Sequence, residues 1–299
     1  MKYKQLGKSD LTISAIGFGC MSLQLDEREN EKIIHKAVDF GINFFDTADL
    51  YDKGMNEMFV GKALQGKRDK VIIATKVGNQ WRKDGSGWDW NPKKDYILSC
   101  AEQSLKRLQT DYIDLYQLHG GTIDDPIEET IDAFEILKKQ GKIRHYGISS
   151  IRPNVIKKYV SLSNIVSVMM QYSLLDRRPE EVCLPLLQKH QIGVLARGSV
   201  ANGLLVNKPA KSYLNYDEHE VRKAAKNVKD MSTQDRSAAQ TAIQFVSGNS
   251  AITSAVVGIR TLEQLKEAAE AISATQLSTT EREELTKLIA VNYYTDHRE

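Results

Sequence analysis

Asp46, Tyr51, Lys76 and His119 are residues whose types could share one piece of chemistry, and each stands at or just past the end of a short apolar run. Asp46 closes Ile-Asn-Phe-Phe-Asp, with Tyr51 five positions on; Lys76 closes Val-Ile-Ile-Ala-Thr-Lys; His119 closes Tyr-Ile-Asp-Leu-Tyr-Gln-Leu-His. A phenol is a weak acid near neutrality, with a reference pKa of about 10. An ammonium beside it favours the phenolate and is expected to bring that value down. Lys76 would supply this charge, and Asp46 would keep Lys76 charged and aimed. His119 would hydrogen-bond a carbonyl oxygen or share the proton delivered to it. None of the four can carry a hydride, so reduction of the carbonyl carbon needs a nicotinamide. Singly, each residue has a plainer reading as a turn cap, a packed ring, a solvated lysine or a loop histidine. Their placement after the second, third and fourth strands of a longer repeat favours the chemistry.

For these side chains to meet, the apolar runs must be parallel strands whose carboxyl ends share one face. Strand-like runs fall at 15–19, 42–45, 71–75, 113–118, 143–149, 166–171, 193–196 and 251–257. Amphipathic helical segments alternate with them at 27–40, 56–64, 93–108, 126–139, 153–160, 180–190, 237–247 and 262–272. Start signals precede several helices: Asn91 before Pro92, Asp125 before Pro126, Thr261 with Gln264 three on. Gly41 and Gly141 stand where a helix must stop. Eight strands alternating with eight helices imply an α/β fold, a single (β/α)8 TIM barrel over 1–299, with its chemistry at the carboxyl ends of the strands. The rival, an open doubly wound sheet, wants a Gly-x-Gly-x-x-Gly turn, which Gly17-Phe18-Gly19-Cys20-Met21-Ser22 does not complete.

Three stretches break the repeat. Residues 1–14 read as an N-terminal β-hairpin around Gly7-Lys8-Ser9-Asp10, capping the barrel's bottom. Residues 198–236 form a polar insert with one helix near 218–228, and the tail beyond Ser278 offers an extra C-terminal helix at 280–291 followed by Asn-Tyr-Tyr-Thr-Asp-His-Arg-Glu.

Composition narrows the class. A net charge of +2, 41% hydrophobic and 27% charged residues describe an ordinary soluble domain with no field to draw in nucleic acid or a membrane surface. The N-terminus lacks the apolar stretch of a signal peptide, and no apolar run is long enough for a transmembrane helix. Cys20, Cys100 and Cys183 are too few and scattered for a disulfide framework, and the histidines show no metal-ligand spacing. The expectation is a cytoplasmic chain, a monomer or weak homo-oligomer, acting on a small-molecule carbonyl substrate without a metal.

Longer motifs extend the pattern: Asp46-Thr-Ala-Asp-Leu-Tyr51 with Gly54 and Asn56-Glu57; Ile73-Ala-Thr-Lys76; the run from Ser104 to His119; Gly141-Lys-Ile-Arg-His-Tyr-Gly-Ile-Ser149; Tyr172-Ser-Leu-Leu-Asp-Arg177; and Gly203-Leu-Leu205. On these motifs, along nearly its full length, the chain resembles the aldo-keto reductases. The resemblance implies a (β/α)8 barrel, NADP(H) as hydride source and Tyr51 as proton donor, with supporting roles for Asp46, Lys76 and His119.

The resemblance also implies a set of cofactor contacts, several with altered residues. The family's Ser-Asn after the fifth strand is Ser149-Ser150 here, and Met169 replaces its Gln, with Gln171 two along on the same strand face. Arg197 stands where an aromatic ring usually stacks on the nicotinamide. Asp52 follows Tyr51 where Gly is frequent. Gly258, Arg260, Gln264 and Glu267 match the adenosine-phosphate segment, although Ala268 replaces an Asn. Arg260 just before a helix start suits a phosphate on its own terms, since helix N-termini and guanidinium forks both attract anions. All three tryptophans, Trp81, Trp88 and Trp90, cluster in a glycine-containing loop after the third strand, which reads as a flexible wall or lid over an apolar substrate or else as a loop packed on itself, with Met21 lining the same pocket. Two other readings stay open: a barrel that binds NADP(H) as a redox sensor, and a lyase or isomerase using Lys76 as a Schiff base.

Overall fold

The structure, a computed structural model, describes residues 1–298. Strands β3 (Ile16–Gly19), β4 (Phe44–Asp46), β5 (Ile72–Val77), β8 (Ile113–Leu118), β9 (Ile143–Ser149), β10 (Ser167–Gln171), β11 (Gly193–Arg197) and β12 (Ile252–Gly258) pair in parallel and close into a barrel, β12 returning to β3. An antiparallel hairpin, β1 (Tyr3–Gln5) and β2 (Thr12–Ser14), precedes it. Helices α1 (Glu27–Asp39), α2 (Met55–Ala63), α3 (Lys94–Leu108), α4 (Ile127–Lys139), α5 (Pro153–Leu162), α6 (Cys183–Lys189), α8 (Ala238–Ser247) and α9 (Leu262–Glu270) follow the strands. α7 (Glu218–Asp230) lies in the insert and α10 (Thr279–Lys287) in the tail.

The barrel's interior explains how the site is built. Side chains alternate along a strand, so one parity faces inward. Phe44, Ile72, Ala74, Leu115, Met169, Leu195 and Val256 form one buried cluster with Leu6, Leu11 and Ile13 of the hairpin, which plugs the barrel's lower end. Continuing two residues along the same face changes the chemistry. Phe44 leads to Asp46, Ala74 to Lys76, Leu115 to Gln117, Met169 to Gln171 and Leu195 to Arg197. The interior is thus apolar below and polar at the carboxyl ends. A second, larger cluster seals the outer faces of the strands against the helices, with Ile73, Tyr116, Ile148 and Val194 meeting Ile97, Phe134, Ile156 and Leu187.

Local signals hold in part: Thr261 caps α9, whereas α3 and α4 start from Lys93 and Pro126 without a side-chain cap, in place of Asn91 and Asp125. Gly41 and Gly141 take left-handed φ of 83° and 73° after α1 and α4. Capping boxes start α7 (Asp217 with Glu220), α8 (Ser237 with Gln240) and α10 (Ser278 with Glu281). α6 starts at Cys183 because Pro179 sits in a separate 3-10 turn, Arg178–Glu180. The tryptophan loop, expected to be flexible, is instead an ordered antiparallel hairpin, β6 (Asn79–Trp81) with β7 (Trp88–Trp90), in which Trp81 pairs with Trp88. α10 ends at Lys287, short of the expected 291, and the chain beyond it runs to the barrel mouth.

Candidate active site

The segment after β4 is held against the neighbouring strand before it turns. Thr47 N–H donates to Ala74 O at 2.8 Å and Asp49 N–H to Lys76 O at 3.3 Å. Thr47 Oγ1 donates to Asn56 Oδ1 at 2.7 Å, and Asn56 in turn donates to Cys20 O at 2.9 Å. A 3-10 turn, Tyr51–Gly54, then folds the chain back, with Asp52 and Lys53 at φ of 49° and 55° and Gly54 at 87°. Two consecutive left-handed non-glycine residues are costly, and here they directly follow the residue whose hydroxyl faces the cavity.

Lys76 is the hub. Its Nζ donates to Asp46 Oδ2 and to Thr47 O, both at 2.7 Å, and to the Tyr51 hydroxyl at 3.3 Å. Lys76 and Asp46 are buried, with side chains only 1% and 6% exposed. Gln117 Nε2 donates to the other carboxylate oxygen, Asp46 Oδ1, at 3.3 Å. Behind β5, Thr75 donates to Glu57 at 2.5 Å and Arg107 pairs with Glu57 at 2.6 Å, fixing the strand that carries Lys76. The His119 ring meets Tyr51 edge-on, with centroids 5.8 Å apart.

Electrostatics set the protonation states. Burial pulls Lys76 down, but the charge and hydrogen bonds of Asp46 and Tyr51 outweigh it and hold the ammonium above its ordinary range. Burial raises the Tyr51 phenol, and this outweighs the downward pull of Lys76. The expectation that the ammonium would bring the phenol down is therefore corrected: in this dry corner, desolvation of the phenolate wins. Burial, followed by the charges of Lys76 and Arg197, pushes His119 down to about 3. Its Nδ1 is buried without an acceptor. The tautomer protonated on Nε2 avoids an unpaired buried N–H and leaves a neutral donor facing the cavity.

These residues open onto a cavity of about 660 Å³. Tyr51, Lys76 and His119 line it, with Asp46 behind Lys76. Ser149, Ser150, Met169 and Arg197 form another part of its wall. Gln171 sits beside them, accepting from Arg197 Nη1 at 3.0 Å and donating to the Tyr213 hydroxyl of the insert at 2.6 Å. Gly258, Arg260, Gln264 and Glu267 lie outside this cavity, along the end of β12 and the start of α9. Arg260 is exposed, and its N–H donates to Gln264 Oε1 at 2.9 Å. Glu267 accepts from Ser237 at the start of α8.

Met21 and Trp88 line the cavity and are 65% and 51% exposed. Trp81 and Trp90 do not line it. Trp81 donates to Leu50 O at 3.1 Å and packs edge-on against Trp88. Trp90 donates to Asp125 at 2.9 Å and lies against Gly78, where a Cβ would come within 2.6 Å of its ring. Both anchor the hairpin, Trp81 to the segment after β4 and Trp90 to the loop after β8.

Other wall residues carried no signal for the site in the sequence. Leu50, Asn79, Arg152, Arg178 and the tail residues Tyr294–His297 reach the cavity from five separate segments. Asn292 ties the tail to Arg177 N at 2.9 Å, the Arg178 guanidinium lies 4.8 Å from the Tyr294 ring, and Arg298 pairs with Glu181 at 2.6 Å.

The residues present suit a dinucleotide. Ser199 Oγ, just beyond Arg197, is buried without a partner. Arg260, at the N-terminal end of α9, forms no ion pair among the described residues.

Comparisons with known proteins identify the family. Residues 15–290 match the model of the aldo/keto reductase family. The chain is 49% identical over 307 aligned positions to an uncharacterized oxidoreductase, YqkF, of Bacillus subtilis, with all of both chains covered. It is 36% identical over 221 positions to the aldo-keto reductase YhdN of the same organism, covering 71% of this chain and 66% of that one. The solved holo form of the aldo-keto reductase AKR11C1 from Bacillus halodurans superposes with a TM-score of 0.94 at 51% identity, with both chains fully covered. A barrel mouth that gathers a buried lysine–aspartate pair, a tyrosine and a neutral histidine, on a chain with these relatives, places this protein in the aldo/keto reductase family.

Proposed function

We propose that the protein is an NADP(H)-dependent reductase of aldehydes or ketones, with Tyr51 as the proton donor. A bound nicotinamide would supply the hydride. Ser149, Ser150 and Arg197, with Gln171 behind Arg197, are the residues to hold its ring end. Ser199, Gly258, Arg260 and Gln264 would line the route to its phosphates, and Arg260 with the start of α9 is the natural contact for an adenosine 2′-phosphate.

One observation carries the reading: the Tyr51 hydroxyl stands on the cavity wall within 3.3 Å of a buried, charged Lys76. A phenol raised by burial keeps its proton at neutral pH, which is the state a general acid must start from. As the proton leaves, Lys76 stabilises the phenolate left behind, and Asp46 keeps Lys76 from discharging. Neutral His119 donates a hydrogen bond to the same carbonyl oxygen and orients it. The Schiff-base alternative needs an uncharged lysine, whereas Lys76 is held protonated and its hydrogens are committed to three acceptors.

Tyr51→Phe tests the proposal. Carbonyl reduction should fall by about 10²–10⁴-fold, the usual contribution of a general acid, while NADPH binding followed by fluorescence stays within a few-fold. Near wild-type turnover in this variant would remove Tyr51 from the mechanism.

A further inference from the structure

We propose that the carbonyl substrate carries an anionic group, a carboxylate or phosphate, and that Arg152 recognises it. The proposal rests on the reading of this cavity as a carbonyl-reducing site, and it names the substrate class.

The cations in the cavity wall are not equivalent. Lys76 is consumed by Asp46, Thr47 and Tyr51. Arg178 is neutralised by buried Asp176, which accepts from its Nε and Nη2 at 2.7 and 2.8 Å. Arg197 is drawn to Gln171 on the side that would hold the nicotinamide. Arg152, in the loop between β9 and α5, is different. It is half-buried and lines the cavity, and its side chain makes a single hydrogen bond, from Nη1 to Gly121 O. Among the described residues its Nε and Nη2 have no acceptor, and no carboxylate lies within ion-pair distance of it.

Of the carboxylates around the cavity, Asp125 is fully engaged and Asp296 faces solvent. Asp125 accepts from Trp90 Nε1 at 2.9 Å and from Thr122 N and Oγ1 at 2.7 and 2.8 Å. Asp296, which reaches the wall from the tail, is exposed and accepts from Thr295 at 3.0 Å.

A guanidinium with two unused donors on a cavity wall matches the fork of a carboxylate or phosphate. Met21, Leu50 and Trp88 supply apolar wall in the same cavity. That combination suits a carbonyl on an apolar body that ends in an anion.

The experiment follows NADPH oxidation by the wild-type enzyme and Arg152→Gln with benzaldehyde, 4-carboxybenzaldehyde and 4-formylphenyl phosphate. The wild type should favour at least one anionic aldehyde, and the favoured one identifies the anion. Arg152→Gln should lose roughly 10- to 100-fold in kcat/KM for that substrate, the effect of one charge-assisted hydrogen bond. The loss should fall mainly in KM, with benzaldehyde unchanged and Arg152→Lys partly restoring the preference. Equal losses for all three aldehydes would mean that Arg152 only braces the Gly121 loop, and the proposal fails. Turnover of benzaldehyde with no anionic preference in the wild type also overturns it while leaving the reductase reading intact. No NADPH oxidation with any carbonyl overturns both.

Discussion

Replacing Lys76 with Met tests how far the site's electrostatics rest on one buried cation. Lys76 and Asp46 are almost fully excluded from solvent. Without the ammonium, Asp46 keeps only the long contact from Gln117 at 3.3 Å. An uncompensated buried charge typically costs about 3–5 kcal/mol, and the Thr47 carbonyl, orphaned by the same change, accounts for about 1–3 kcal/mol of that class of penalty. Lys76→Met should therefore lower unfolding stability by about 3–5 kcal/mol near neutral pH, a large share of what a domain has. The loss should shrink in acid, because Asp46 can take up a proton and shed its charge. The double variant Lys76→Met with Asp46→Asn removes the stranded charge altogether. It should recover about 1–3 kcal/mol relative to the single variant, as expected for groups in direct contact. Urea unfolding of the wild type, both singles and the double at pH 5 and pH 8 gives the complete cycle. A double variant no more stable than Lys76→Met, or a penalty independent of pH, would refute the reasoning. Activity should be lost in all three variants, since each removes the stabilised phenolate.

Further outcomes follow from other features. The Asp49 carboxyl is buried and pushed up to about 8, chiefly by desolvation and then by Glu57, with Arg107 and Lys76 pulling it back. A raised carboxyl contributes stability that is present below its unfolded pKa of about 3.9 and is lost as pH rises toward the folded value. Asp49→Asn should flatten this decline, and urea midpoints falling equally in both proteins between pH 4 and 8 would contradict it. Gln109 closes α3 at φ 53°. Gln109→Gly should stabilise by about 0.5–1 kcal/mol, read as a small rise in Tm, because glycine adopts the left-handed cap without a Cβ penalty. Arg197→Tyr should move the ratio of NADP⁺ to NADPH dissociation constants toward one, since a guanidinium near the ring disfavours the cationic form. Two unit charges about 4 Å apart at an effective dielectric near 20 interact by roughly 4 kcal/mol, so a shift of about tenfold is within reach by fluorescence titration. An unchanged ratio would mean that Arg197 serves only the contact with Gln171.

Much of this protein was legible in the sequence because its signals are local. Short, nearly continuous apolar runs ending in Asp46, Lys76 and the residue before His119 specified buried strands, and the parity that turns Ala74 inward turns Lys76 inward as well. Gly41, Gly141, Thr261 and the alternation of strands with helices were enough for a closed barrel, and the barrel carries its polar strand ends to one mouth. Tertiary structure decided what depends on distance through space. Whether Tyr51 is lowered by Lys76 or raised by burial depends on how much water reaches the phenol, and burial outweighs the charge. The tryptophan cluster gave a loop, but only the pairing of Trp81 with Trp88 made it a hairpin that turns one ring to the cavity and anchors the other two to Leu50 and Asp125. Arg152, Arg178 and Tyr294–His297 lie far apart in the chain and obey no spacing rule. They become one wall because the barrel brings its loops together at one end, and the folded tail crosses that end. Periodicity records which way a side chain points along its own element, whereas the partners it meets there are set by the closure of the whole barrel.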